Sequence, residues 1–257
     1  DVYKRQDQDV DTGAGNLTIT TTGGDITQGV GDTITSAGTS TFTAGAGGNL
    51  ITLNTNVNNF GTLEATGSTV RIQEFDAVVL NDITATTFDL DADGAVTQNG
   101  GTSIQTANVR FLGNGNFTLT QANDADTIAA NIGDFLTFTD SDDLIVGSVL
   151  GTNGITTTGD IVTLIAGAGG VTVSQAVSTG GAVAGNIDFT TTGTLALNAA
   201  LTAGTGDILL NSGTGVSQTV ELSGAGLLLE GTGPFSLTDV DNDMNTIAAD
   251  SVSGLID

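Results

Sequence analysis

Any chemistry in this chain has to come from carboxylates. Its 257 residues include no His, no Cys, four Lys and Arg together and 29 Asp and Glu, a net charge of −25. Without His the commonest general acid–base residue is missing, and Ser-His-Asp, Cys-His and His-ligated zinc arrangements are excluded. Three groups of acids remain. Asp89-Leu90-Asp91-Ala92-Asp93-Gly94 opens like a calcium loop of the D-x-D-x-D-G type, but Gly100 stands at the twelfth position, where such a loop needs a bidentate Glu. Asp140 with Asp142-Asp143 has the composition of a carboxylate pair for glycoside cleavage. Arg71 and Arg110 would then be the cations left to hold an acidic sugar or stabilise developing negative charge. Asn123-Asp124-Ala125-Asp126 and Asp239-Val240-Asp241-Asn242-Asp243 read as acidic loops bulging from the fold. Asp124, Asp126, Asp239, Asp241 and Asp243 are the candidate metal ligands, with calcium the cofactor they would take. Each group also has a plainer reading. Alternation of Phe88 and Leu90 places Asp89 and Asp91 on the solvent face of a strand, and the acids at 140–143 fall in a recurring turn.

The elements that carry these residues are short strands. Asn16-Leu17-Thr18-Ile19-Thr20 puts Leu17 and Ile19 on one face and Thr18 and Thr20 on the other. The same period-two alternation recurs at 50–53, 69–73, 87–91, 108–111, 135–139, 186–189, 194–197 and 208–210. That is the pattern of half-buried strands. No helical periodicity extends over ten residues; Thr127–Ile132 has room for a single helical turn. Turns of the GG, GN, NG and TG type lead directly into the next strand, and the strands read as three to five residues long. An antiparallel sandwich prefers longer strands and larger loops, so the pattern predicts a parallel β-helix with about three short strands per coil. One coil of about 20–25 residues cannot offset its own conformational entropy, so coils must stack and share ladder bonds. Residues 7–257 would make on the order of 10–12 coils at a spacing of about 4.8 Å.

A long internal repeat supports the same reading. Phe117-Thr118-Leu119-Thr120 returns as Phe235-Ser236-Leu237-Thr238, 118 residues on; Thr127-Ile128-Ala129-Ala130-Asn131 returns as Thr246-Ile247-Ala248-Ala249-Asp250, 119 on. Gly94-Ala95-Val96-Thr97-Gln98 pairs with Thr214-Gly215-Val216-Ser217-Gln218 at an offset of 120. No linker or change of composition interrupts residues 7–257, which read as one domain and as a fragment of something longer. The leader at 1–6 is an outlier: it holds the only Tyr and two of the four basic residues, and it looks like a translated sequencing adapter. It is set aside from fold reasoning.

Composition narrows the partners. A polyanion of this size repels nucleic acid and anionic lipid. Absence of Cys rules out a disulfide framework, and no run of 18 apolar residues offers a membrane span. Acidity keeps an extended β protein soluble and discourages pairing of sheet edges.

The wording of Gly151-Thr152-Asn153-Gly154-Ile155-Thr156-Thr157-Thr158-Gly159-Asp160, with Phe117-Thr118-Leu119-Thr120, Thr139-Asp140-Ser141-Asp142-Asp143-Leu144 and Gly206-Asp207-Ile208-Leu209-Leu210-Asn211, resembles the repeat region of filamentous-haemagglutinin-like bacterial exoproteins. The resemblance covers most of residues 11–257 and rests on repeat grammar. It implies a right-handed parallel β-helix, two-partner or autotransporter secretion, a place on the bacterial surface, and adhesion to host cells, matrix or glycans. On that reading the chain is a non-enzymatic rod segment of a secreted adhesin. The alternatives are a calcium-binding extracellular β-solenoid and, behind it, a β-helix enzyme that degrades polysaccharide.

Overall fold

A computed structural model describes residues 4–6, 8–45, 48–180, 185–250 and 252–257. Among them there is no helix, and almost every strand pair is parallel. The chain forms two compact units, 1–124 and 125–257, where the sequence shows no linker. Each unit is a β-solenoid. In the second, Leu136, Val162, Ile187, Ile208, Leu227 and Ile247 occupy one column of register partners. Leu144, Val171, Leu195, Val216 and Phe235 make the next column, and Ile155, Val177, Leu201 and Leu222 the third. The expected three strands per coil are therefore present. In the first unit Ile26, Ile51, Val70, Phe88 and Val109 form an equivalent column.

Alternation sets which residues enter the core. Of each strand's two faces, the one carrying Val, Ile, Leu and Phe points into the coil, where Phe42, Phe60, Phe88, Phe111, Phe117, Phe138, Phe189 and Phe235 are fully buried. Phe42 and Phe60 of successive coils meet edge-on at 5.6 Å, and Phe111 and Phe117 of one coil meet tilted at 4.7 Å. Strand length departs from expectation in the first unit. Leu50–Thr66 runs 17 residues and Val78–Ala92 15, because the backbone stays extended around the corners and absorbs the bend in register shifts such as that between Leu53 and Asn58. Phe117–Ile132 is likewise one strand, so Thr127–Ile132, which has room for a helical turn, forms none: Ile128 and Ala130 are ladder residues of a buried sheet. Lys4–Gln6, set aside in the sequence reading, pairs in parallel with Ile26–Gln28.

The turn grammar has a physical cause. An Asp or Asn just before a strand, or at a corner within one, turns its side chain to the coil above and accepts a backbone N–H there. Asn16 Oδ1 takes the amide of Thr39 at 2.9 Å, Asp25 that of Leu50 at 2.8 Å, Asp82 that of Ser103 at 2.9 Å and Asn186 that of Asp207 at 2.9 Å. Part of the acidity is thus turn chemistry. One departure from parallel order is a hairpin of Ser148–Val149 with Thr152–Asn153, whose tip holds Leu150 at φ 50° and Gly151 at φ 86°.

Gly113 and Gly231, 118 residues apart, end equivalent ten-residue strands with φ of +99° and +100°. A Cβ on Gly113 would lie 2.2 Å from the carbonyl oxygen of Ala92 in the coil below. Gly113→Ala is expected to destabilise by about 2 kcal/mol or more, lowering Tm by on the order of 5 °C. Gly100→Ala, with nothing within 4 Å of the added carbon, should leave Tm unchanged. Thermal melts by far-UV circular dichroism check both.

Candidate functional site

The inward corners of the coil carry its most elaborate polar chemistry. Gln28, Gln98 and Gln218 each end a short inward strand, and each meets an Asn of the next coil. Gln98 Nε2 donates to Asn123 Oδ1 at 2.8 Å, and that oxygen also accepts the Ile104 amide at 2.9 Å. Asn123 Nδ2 donates to the carbonyls of Leu119 and Gln121. The arrangement repeats at Gln28 and Asn58, where the Ile34 amide is held at 2.9 Å. It returns at Gln218 and Asn242, where the Leu222 amide is held at 2.8 Å. In each case the Asn satisfies a backbone N–H that the bend removes from the ladder. Hydroxyls do the same work elsewhere: Ser212 Oγ accepts the Gly215 amide, and Thr191 Oγ1 accepts that of Gly193. Thr21, Thr157, Thr179 and Thr191 are buried at such corners.

Two corners use carboxylates. Glu74, directly above Asn58 in register, accepts the Phe60 amide at 3.1 Å and the Asp76 amide at 3.3 Å. Burial pushes its carboxyl up from 4.5 to about 8, the amide bonds only partly opposing that. Asp140 accepts the amides of Ala125 at 2.9 Å and Asp142 at 3.1 Å, and burial pushes it up to about 7.

These corners relocate the sequence candidates. Asp140 and Asp142 are neighbours, but not two surface carboxylates: Asp140 is 3% exposed at a corner while Asp142 faces solvent. Asn123 and Asn242, read as parts of acidic loops, are corner residues, and Asp124 and Asp126 flank buried Ala125 on the exposed face of a strand, not on a bulging loop. Asp239 accepts the Asp241 amide at 3.0 Å in a turn, and Asp241 and Asp243 are exposed. Among the described residues no group of three or more His, Cys, Asp or Glu is placed to hold a metal ion.

Asp89 is the other correction. It points outward, as alternation requires, yet is only 4% exposed, because arginines of the coils below and above cover it. Arg110 donates to it through Nε and Nη2, both at 2.8 Å, and Arg71 Nε lies 3.7 Å away. Arg110 is therefore held against Asp89 by two charge-assisted bonds, with Arg71 beside them at ion-pair distance. Asp91 alongside is raised by partial burial and by its acidic neighbours.

Comparison with known proteins adds one family. Residues 5–66 match Repeats of unknown function (DUF5649). No curated protein and no solved structure matches the chain. The matched stretch holds the first Gln–Asn corner, Gln28 and Asn58.

Two outcomes follow for the corners. Asn123→Ala orphans the Ile104 amide and a Gln98 donor, at about 1–3 kcal/mol for each buried unsatisfied group. Asp124→Ala, at the next exposed position, should stay within about 0.5 kcal/mol; urea unfolding separates the two. Glu74 titrates higher folded than unfolded, so its contribution is fully present below about pH 4.5 and is lost as pH rises through about 8. Glu74→Gln, which keeps the site neutral, should raise Tm at pH 9 relative to wild type and change it little at pH 5.

Proposed function

We propose that this chain is a structural and adhesive segment of a secreted bacterial surface protein, without enzymatic activity. Its outward faces would mediate or display attachment to host cells, extracellular matrix or glycans. The observation that carries this reading is what the internal repeat keeps and what it changes. The two copies keep the inward framework: Gln98 and Asn123 against Gln218 and Asn242, Phe111 against Leu229, Gly113 against Gly231. They change the outward positions carried on equivalent strands. Where the first copy stacks Asp89 on Arg110, the second stacks Leu209 on Leu228. A scaffold that holds its coil constant and varies its surface is suited to display, whereas an active site needs one constellation held fixed. The resemblance to filamentous-haemagglutinin-like repeats points the same way, and the acidic surface suits an exposed protein.

Beads coated with the purified chain test the reading. Attachment to cultured epithelial cells or to immobilised matrix proteins is expected, and it should survive EDTA. Attachment that appears only with calcium would favour a metal-dependent solenoid. Release of reducing sugars from polysaccharide, lost on Asp142→Asn, would replace the adhesive reading with an enzymatic one.

A further inference from the structure

The outward face of the second unit departs from the Thr, Asn and Asp that cover most strands. Asp188, Leu209, Leu228 and Ala248 are register partners in four successive coils. Beside them run Asp207, Gly226 and Thr246. Gly226 is the gap in that second row. A Cβ there would stand 2.7 Å from Asp207 Oδ1 and 3.1 Å from Thr246 Oγ1, so glycine lets those two side chains close in at the edge of a groove that the two rows line. The groove measures about 370 Å³, within the range of small ligand sites. Its floor is aliphatic, from Leu209, Leu228 and Ala248, and its one end is anionic, from Asp188 and Asp207.

Charge decides what fits. Half-burial, with Asp207 nearby, raises Asp188 above the ordinary carboxylate range. Nothing in this unit can neutralise the pair, because all four Lys and Arg of the chain lie at or before residue 110. The equivalent column of the first unit, Arg71, Asp89 and Arg110, carries its own cations; here the same lattice positions hold Asp188, Leu209 and Leu228. A ligand matching the second unit must bring a positive charge on an apolar stem. Lysine and arginine side chains have that form, laying methylenes on apolar surface with the charged head free. No aromatic ring lines the groove to stack against a sugar.

We propose that this groove receives the lysine or arginine side chain of an extended segment of a partner protein, its stem over Leu209 and Leu228 and its cation at Asp188 and Asp207. Leu209 to Ala248 spans two coil spacings, about 10 Å, enough for one such side chain and the backbone carrying it. The inference rests on the reading of the outward faces as contact surfaces and gives one of them a partner chemistry.

Fluorescence anisotropy with a dye-labelled peptide alternating threonine and lysine, in 150 mM salt, tests it. The lysine peptide should bind and its glutamate counterpart should not. Asp188→Asn with Asp207→Asn should weaken binding at least ten-fold, and Gly226→Val, which crowds the groove and pushes the Asp207 carboxylate aside without changing net charge, should do the same. Asp124→Asn with Asp126→Asn removes equal charge elsewhere and should stay within two-fold. Should the Asn pair fail to fold, Leu228→Arg supplies the cation from within and is expected to abolish binding. Equal weakening by the control pair would mean diffuse attraction to a polyanion and overturn the proposal. So would a groove that takes glucosamine oligomers in place of the peptide. Cell attachment that persists while the groove variants leave peptide binding untouched sinks this proposal alone; lost attachment with intact, groove-dependent peptide binding sinks only the adhesive reading.

Discussion

A parallel coil must turn its chain inside its own sheet, and every turn removes backbone amides from the ladder that pairs them. An amide left unpaired in the interior costs as much as a hydrogen bond forgone. The flat strands solve this by stacking, but the corners need side chains that reach across one coil. Asn58, Asn123 and Asn242 supply an acceptor to an amide in the coil below and donate to carbonyls of their own coil. Glu74 and Asp140 fill the same need with carboxylates that burial holds toward the neutral form. Once the corners are fixed, so is register, and with register the choice of which residues face inward.

That division frees the outside. The same strand in two copies carries Arg110 in one and Leu228 in the other, with Val109 and Leu227 equally buried beneath them. On the first the outward column carries its own cations beside Asp89; on the second it is an open groove with two carboxylates and no internal cation. A single framework thus presents faces of different polarity at equivalent places, the property on which the functional reading turns.

Much of this was legible in the sequence. Period-two alternation gave the inward faces, the brief turns gave parallel coils over a sandwich, and the repeat gave equivalent positions. The corners were not legible as such. Asn123 sits among acids in Ala-Asn-Asp-Ala-Asp, a composition that reads as a solvated loop, and only a partner 25 residues away makes it a core residue. A signal was present: Gln98 and Asn123 recur as Gln218 and Asn242, and polar residues kept at matching repeat positions have an inward reason. The Asp89–Arg110 pair was hidden because its partners lie 21 residues apart, a coil length that varies from loop to loop. The long strands of the first unit were missed because an extended backbone bent by a register shift looks, residue by residue, like a turn.

The absence of cysteine makes the register directly measurable. Thr172 and Ala196 are outward neighbours on adjacent coils, and Ala196 faces Ser217 on the next. Parallel neighbours stand about 4.8 Å apart, inside the Cα range of a disulfide, about 4.4–6.8 Å. Thr172→Cys with Ala196→Cys, and separately Ala196→Cys with Ser217→Cys, should oxidise fully to intramolecular disulfides with the melting curve retained. Free thiols in both, or a disulfide formed only when one partner is moved two residues along its strand, would contradict the parallel in-register stack from which everything else here follows.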